Sequence, residues 1–433
     1  MKRRLLILTA FLAPALLFSQ SDSTSIFDLS LEFRPRFEYR NGYRELPADT
    51  SSPAMFISQR CRLLLTYKRK KFKFHTSIQD VRVWGQYGSK SNNGGLGIFE
   101  AYVESKFNEK WSIRIGRQGV DLDNGRLFST APFSLTSKAH EGLRLSYNNA
   151  RVQSDLLSFY NQSGEQLFGT SYALPAPNYT SLSIHYFKMK LSKMFRFSTL
   201  NSMEGYQSLS SSSTMYMRGT SGGRITLQHR GLYATICGYY QYGQLQSGQS
   251  ISAYYLQPEI AYTLKKMKAT LGMEYVSGDD ATSNSETSRS FSTLYGVILK
   301  FMGNLNYFAN LPNDAGGGGL VNPYILLQWQ IHKKFLLNFD SHVFYLQNNV
   351  EKNGAILDPL LGLEHDFRLQ YKINEFTTLS SGFAFMLPTE SLAEIQYKNS
   401  YRTPVWSFIM LRYNPQLLHV ERKLKKQTQS SLL

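Results

Sequence analysis

Apolar and polar side chains alternate one by one along most of this chain. From Asp28 to Arg40, Leu29, Leu31, Phe33, Pro35, Phe37 and Tyr39 share one parity; Ser30, Glu32, Arg34, Arg36, Glu38 and Arg40 share the other. Successive strand side chains point to opposite faces, so this stretch reads as a β-strand with one apolar and one charged face. Met55–Tyr67 repeats the pattern, with Ile57, Cys61, Leu63, Leu65 and Tyr67 set against Ser58, Arg60, Arg62 and Thr66. In Ile98–Phe107 the apolar face is Phe99, Ala101, Val103 and Phe107, and the polar face is Glu100, Tyr102, Glu104 and Lys106. Trp111, Ile113 and Ile115 then alternate with Ser112, Arg114 and Gly116. In Lys71–Trp84 the apolar parity switches near Gln79, from Phe72, Phe74 and Ile78 to Val81 and Val83. The switch predicts a β-bulge that brings Asp80 and Arg82 onto the charged face.

The same reading extends to eighteen strands, near 28–40, 55–67, 71–84, 96–107, 110–118, 140–148, 151–161, 179–190, 193–202, 214–228, 231–243, 252–264, 267–276, 320–332, 335–347, 360–372, 375–387 and 403–413. Eight short turns, centred on Arg69, Glu109, Asn149, Ser192, Arg230, Lys265, Lys333 and Asn374, alternate with nine long connections. An open soluble sheet gives no reason for such strict alternation. A transmembrane antiparallel up-and-down β-barrel does: short periplasmic turns, long extracellular loops, an even strand number, apolar face to lipid and charged face to a wet lumen. The expected fold class is therefore all-β, with residues 20–413 forming the barrel. Segment 291–310 is expected as an ordered element inside the long loop 277–319, with Gly316–Gly319 providing the return.

Composition sharpens the picture. Aromatic residues make up 14% of the 433 residues, 28 Tyr and 28 Phe among them, which suits a β-rich protein with interfacial girdles. Apolar runs are too short for a transmembrane helix. Residues 1–19 read as a signal peptide, with Lys2, Arg3 and Arg4 before the apolar run Leu5–Phe18. Their removal takes three charges from a formal net charge of +17 and leaves +14. Residues 414–433 read as a disordered basic periplasmic tail. Cys61 and Cys237 are far apart and sit mid-strand among apolar residues, so they read as lipid-facing or core thiols.

Several short motifs run in order along the chain: FISQR (56–60), IQDVRVWG (78–85), FEAYVE (99–104), IGRQ (115–118), DNGRLFS (123–129), HEGLRLSY (140–147), EYVSGDD (274–280) and LEHDF (363–367). Through them the chain resembles the alginate-export-like outer-membrane porins. The resemblance implies an 18-stranded barrel in the bacterial outer membrane and passage of acidic polysaccharide through a basic pore. Glu141 and Asn306 stand where members of that family commonly carry Asp.

Candidate pore-lining residues are Arg34, Arg36, Arg60, Arg62, Asp80, Arg82, Glu100, Glu104, Arg114, Arg117, Arg126 and Arg144. Arginine and carboxylate on neighbouring strands interlock in ladders, and rings of arginine select anions. Loop 119–139, with Asp121, Asp123, Asn124, Gly125 and Arg126, is long enough to fold inward as a constriction. It lacks the spacing of a calcium loop, and no metal or other cofactor is expected. None of the eight His residues lies in a hydrolase or metalloprotease motif, and no enzyme is expected. The expected function is a passive outer-membrane channel, a monomeric barrel passing anionic or polar solutes or uronate-type oligosaccharides. Membrane lipid is the other expected partner, and nucleic acid is not one. A non-selective general porin and a non-conducting structural or adhesin barrel are the alternatives.

Overall fold

The computed structural model describes residues 23–88, 95–169, 174, 178–209, 214–297, 299 and 301–424. The segment expected as a signal peptide and the last nine residues lie outside that set. Fifteen strands come first: β1 Ser23–Asn41, β2 Ala54–Arg69, β3 Phe72–Val83, β4 Leu96–Lys106, β5 Trp111–Gln118, β6 His140–Asn148, β7 Val152–Tyr160, β8 Ser181–Lys190, β9 Phe195–Gln207, β10 Met215–His229, β11 Leu232–Gln244, β12 Ser250–Leu264, β13 Met267–Val276, β14 Leu320–His332 and β15 Phe335–Leu346. A loop hairpin follows, β16 Glu351–Lys352 and β17 Ala355–Ile356, and then β18 Leu360–Lys372, β19 Thr377–Pro388, a short helix α1 Glu390–Ile395, β20 Val405–Tyr413 and β21 Gln416–Leu424.

Apart from the hairpin, each strand pairs antiparallel with its neighbour, and β20 and β21 both pair with β1, so the sheet closes on itself. β20 and β21 are halves of one strand interrupted at Asn414–Pro415, which makes eighteen crossing strands. Closure leaves no edge within the hydrocarbon, where an unpaired backbone amide is costly. The outward parity carries the exposed apolar residues, among them Leu63, Ile115, Leu143, Leu156, Ile236, Ile260 and Leu271. The buried apolar core is inside the barrel. Phe128, Phe291, Phe301, Met302 and Phe308 from two long loops pack with inward Phe159, Phe344, Met386 and Trp406.

Three local expectations are corrected. Residues after Tyr413 continue as β21, with Leu418 opposite Leu29 and Val420 opposite Phe27. The stagger of the closed barrel lets β20 cover only Phe33–Asn41 of β1. The lower edge of β1 is left for β21, and adjacent Leu417 and Leu418 obscure the alternation at that point. The parity switch in β3 is not a bulge against β2: the register runs without a break from Arg69↔Phe72 to Ser58↔Val83. Val81 and Val83 therefore face inward with Arg60 and Ser58, and Asp80 and Arg82 face outward. The bulge lies on β4, where pairing steps from Ser77↔Glu100 to Ile78↔Ile98 and Phe99 turns inward beneath Arg62, 4.1 Å from guanidinium to ring centre.

Candidate solute pathway through the barrel

Two long connections enter the lumen. The loop after β5 leaves the wall at Gly119, whose N–H donates to Glu100 Oε1 at 2.8 Å. Its tip crosses to the opposite wall. There Asp123, at φ +50°, accepts from Ser198 Oγ at 2.7 Å and from the Tyr186 hydroxyl at 2.9 Å. Asn124 donates to Gln257 Oε1 at 2.9 Å. Arg126 Nε lies 2.7 Å from Glu274 Oε1, both side chains almost wholly buried. On its way back the loop passes the N-terminal wall. Arg34 donates to the carbonyls of Pro132 and Ser134 at 2.6 and 2.7 Å, Arg36 to Phe133 O at 3.1 Å, and Arg60 to Ser134 O at 3.0 Å. Arg60 also reaches Ser137 Oγ, as does Arg62, and Gln79 donates to Thr136 O.

The second connection, between β13 and β14, packs against the first. Phe128 and Tyr295 form a parallel bridge, and Lys138 Nζ donates to Gly296 O at 2.8 Å. Burial lowers the Lys138 ammonium from the usual lysine range, and it raises the Tyr295 phenol. The turn at Gly303 sits on two acidic side chains of β18: Asn304 N–H donates to Asp366 at 3.1 Å and Leu305 N–H to Glu364 at 2.8 Å. Gly303 has φ +74°, and a Cβ there would stand 2.4 Å from the Glu364 carboxylate.

The twelve sequence-selected residues thus separate by position. Arg34, Arg36, Arg60 and Arg62 face inward but are covered by the loop they hold, with Arg34 1% exposed and Arg60 2%. Glu100 and Arg126 are further anchors of that loop. Glu104, Arg114 and Arg144 border a cavity of about 510 Å³ near the short turns, with Arg114 bound to Glu104 at 2.7 Å and Arg144 to Asp155 at 2.9 Å. Asp80, Arg82 and Arg117 are on the outer face, where Asp80 pairs with Arg82 at 2.7 Å and Arg117 with Glu141 at 2.9 Å. Arg117 shares the parity of Trp111, Ile113 and Ile115 and lies opposite Ala101, a position on the lipid side. Of the two thiols, Cys237 is buried on the inward parity of β11, whereas Cys61 shares the outward face with Asp80.

Between the two inward connections and the β18–β20 wall is a cavity of about 380 Å³, bordered by Asp121, Asp123, Asn124, Phe133, Arg368 and Phe408 among others. Asp123 also borders a second cavity, of about 120 Å³, toward the short turns, with Lys188, Arg196, Arg224 and Tyr233. Arg224 is oriented by Thr235 Oγ1 at 2.9 Å and Tyr233 OH at 2.5 Å. Among the described residues, none of these three cations is ion-paired with a carboxylate. Sequence reasoning passed over them. The available signal was parity: Lys188 is in step with inward Tyr186, and Arg196 with inward Ser198.

An eighteen-stranded closed barrel with inward loops that narrow its lumen defines an outer-membrane channel of porin architecture. The chain belongs to the alginate export family, whose model matches residues 26–375. Its fold is similar to that of Acinetobacter baumannii OccAB1, with 12% identity, a TM-score of 0.62 and coverage of 90% of this chain and 97% of that one. Pseudomonas aeruginosa OpdK with vanillate gives 9% identity, a TM-score of 0.60 and coverage of 91% and 99%. P. aeruginosa OccK2 (OpdF) in complex with glucuronate gives 12%, 0.60, 90% and 98%. The comparison with curated proteins finds no match to the chain.

Proposed function

We propose that the protein is a passive channel for small, carboxylate-bearing solutes of about monosaccharide size, uronates among them. The carrying observation is the cluster of Lys188, Arg196 and Arg224, which borders a cavity beside the Asp123 tip of the inward loop and, among the described residues, forms no ion pair with a carboxylate. A carboxylate that clears the Asp123 tip meets three cations in a partly desolvated space, where charge attraction exceeds that in bulk water. Arg224 is held in place by Thr235 and Tyr233, so little side-chain entropy is lost on contact. The two cavities, about 380 and 120 Å³, support single residues of a uronate rather than a wide polymer track. The OccK2 and OpdK structures hold glucuronate and vanillate, both small carboxylates, which favours the same class here. This reading moves selectivity away from the N-terminal arginines, whose donors are committed to loop carbonyls.

The test is the reversal potential of single channels in a salt gradient. Anion preference is expected in the native chain and a clear loss of it in Lys188→Ala/Arg196→Ala/Arg224→Ala. Native channels that prefer cations, or a triple variant with unchanged selectivity, would defeat the reading.

A further inference from the structure

We propose a phosphate-binding site at the periplasmic lip of the barrel, on the turn between β2 and β3. A cavity of about 240 Å³ there is lined by Lys68, Arg69, Lys70, Lys73 and Lys106, with Glu104 the one acidic side chain among the described residues that border it. The cations are crowded by the register itself. Lys68 stands directly opposite Lys73, and like charges in that relation destabilise a strand pair. Among the described residues, the two acids that face these lysines, Glu104 and Asp28, also have other partners. Glu104 is opposite Lys73, but its Oε2 accepts both Nε and Nη2 of Arg114, at 2.9 and 2.7 Å. Asp28 lies 3.9 Å from Lys68 Nζ but is also bound by His419 Nδ1 at 2.6 Å. Lys73 donates to the Tyr102 hydroxyl at 2.9 Å, a neutral partner. Among the described residues, Lys68, Lys73 and Lys106 therefore bring more positive charge to an open cavity than Glu104 and Asp28 offset, and a phosphate group entering it relieves the Lys68–Lys73 repulsion.

The place of the cavity points to the source. Phe72 also lines it and is 39% exposed, and its ring lies 6.4 Å from that of Tyr67. Aromatic rings at this height mark the membrane–water boundary, but Phe72 and Tyr67 are on the outer face, whereas Lys68, Lys73 and Glu104 are on the inward parity; the cavity therefore lies at the periplasmic mouth of the lumen, with the edge of the leaflet just outside it. A headgroup phosphate of an anionic phospholipid and a free phosphate from the periplasm share the chemistry the site recognises.

The full chain in nanodiscs of phosphatidylglycerol or of zwitterionic phosphatidylethanolamine, released for native mass spectrometry, separates the sources. Titration with inorganic phosphate in detergent is the second arm. Retained phosphatidylglycerol, weakened about thirtyfold in Lys68→Gln/Lys73→Gln by loss of two cations near the surface, assigns a lipid site. Phosphate binding lost in that variant, without lipid retention, assigns a free-anion site. Lys333→Gln/Lys334→Gln, on the β14–β15 turn, removes two charges elsewhere on the rim and is expected to bind as the native chain does. Equal binding by the native chain and the Lys68/Lys73 variant overturns the proposal, as does equal loss in the Lys333/Lys334 control. If the double variant does not fold, the exposed Lys106→Gln replaces it, with a smaller loss expected and no loss again overturning the site.

Discussion

The two walls of this barrel use cationic side chains in opposite ways. On the wall formed by β1–β3, arginines are numerous and their donors are committed to holding an inward loop: Arg34, Arg36 and Arg60 each reach main-chain carbonyls between Pro132 and Ser134. On the wall formed by β8–β10 cations are fewer, yet Lys188, Arg196 and Arg224 border a cavity with Asp123 and, among the described residues, are not ion-paired with a carboxylate. Composition counts both sets alike. What separates them is access to the lumen: Arg34 and Arg60 are buried beneath the loop they hold, whereas Lys188, Arg196 and Arg224 border a cavity that a solute can enter.

The largest disturbance of this arrangement is expected from Glu274→Ala. It leaves Arg126 buried and unpaired at the tip of the loop, a cost of about 3–5 kcal/mol for a broken buried pair. The expected result is a lower unfolding temperature and larger, noisier single-channel currents; a thermal midpoint and current trace like those of the native chain would remove Arg126 as the tip anchor. Arg34→Ala/Arg60→Ala comes next. Charge-assisted hydrogen bonds contribute about 1.5–3 kcal/mol each, so the return of the loop is expected to loosen and conductance to rise with the anion-to-cation ratio nearly unchanged. A fall in that ratio at constant conductance would instead put the solute path on the N-terminal wall. Gly303→Ala forces a side chain into left-handed backbone against Glu364, at about 1–3 kcal/mol of strain. Faster proteolysis within 277–319 is the expected readout, and native-like resistance would mean that the turn moves at little cost. Arg196→Ala alone is expected to leave stability as it is and to shift only the reversal potential. Least of all is expected from Arg82→Ala: its guanidinium is on the outer face with Asp80, and both conductance and selectivity should match the native chain. A selectivity change there would return β3 to the pore wall.

Much of the architecture was legible from alternation. The strand positions, the alternation of short and long connections and the outer-membrane setting follow from a period of two, since each crossing strand must show one face to lipid and the other to water. Parity also places Arg117: it is in step with Ile113 and Ile115, on the outer face, and not with Arg114 on the charged parity. Asp80 and Arg82 are a different case. A change of apolar parity has two causes, a bulge or a wall whose inner face turns apolar, and the second holds here because Val81 and Val83 face inward opposite Arg60 and Ser58.

The sequence by itself determined the barrel: local periodicity sets which way each side chain points, and connection length sets the order of turns and loops. Only the tertiary structure decided which cations are available. Arg60 meets Ser134 and Ser137 across more than seventy residues, and Arg126 meets Glu274 across nearly one hundred and fifty. Such pairings depend on where a loop lands inside a closed sheet, and no period along the chain carries that information.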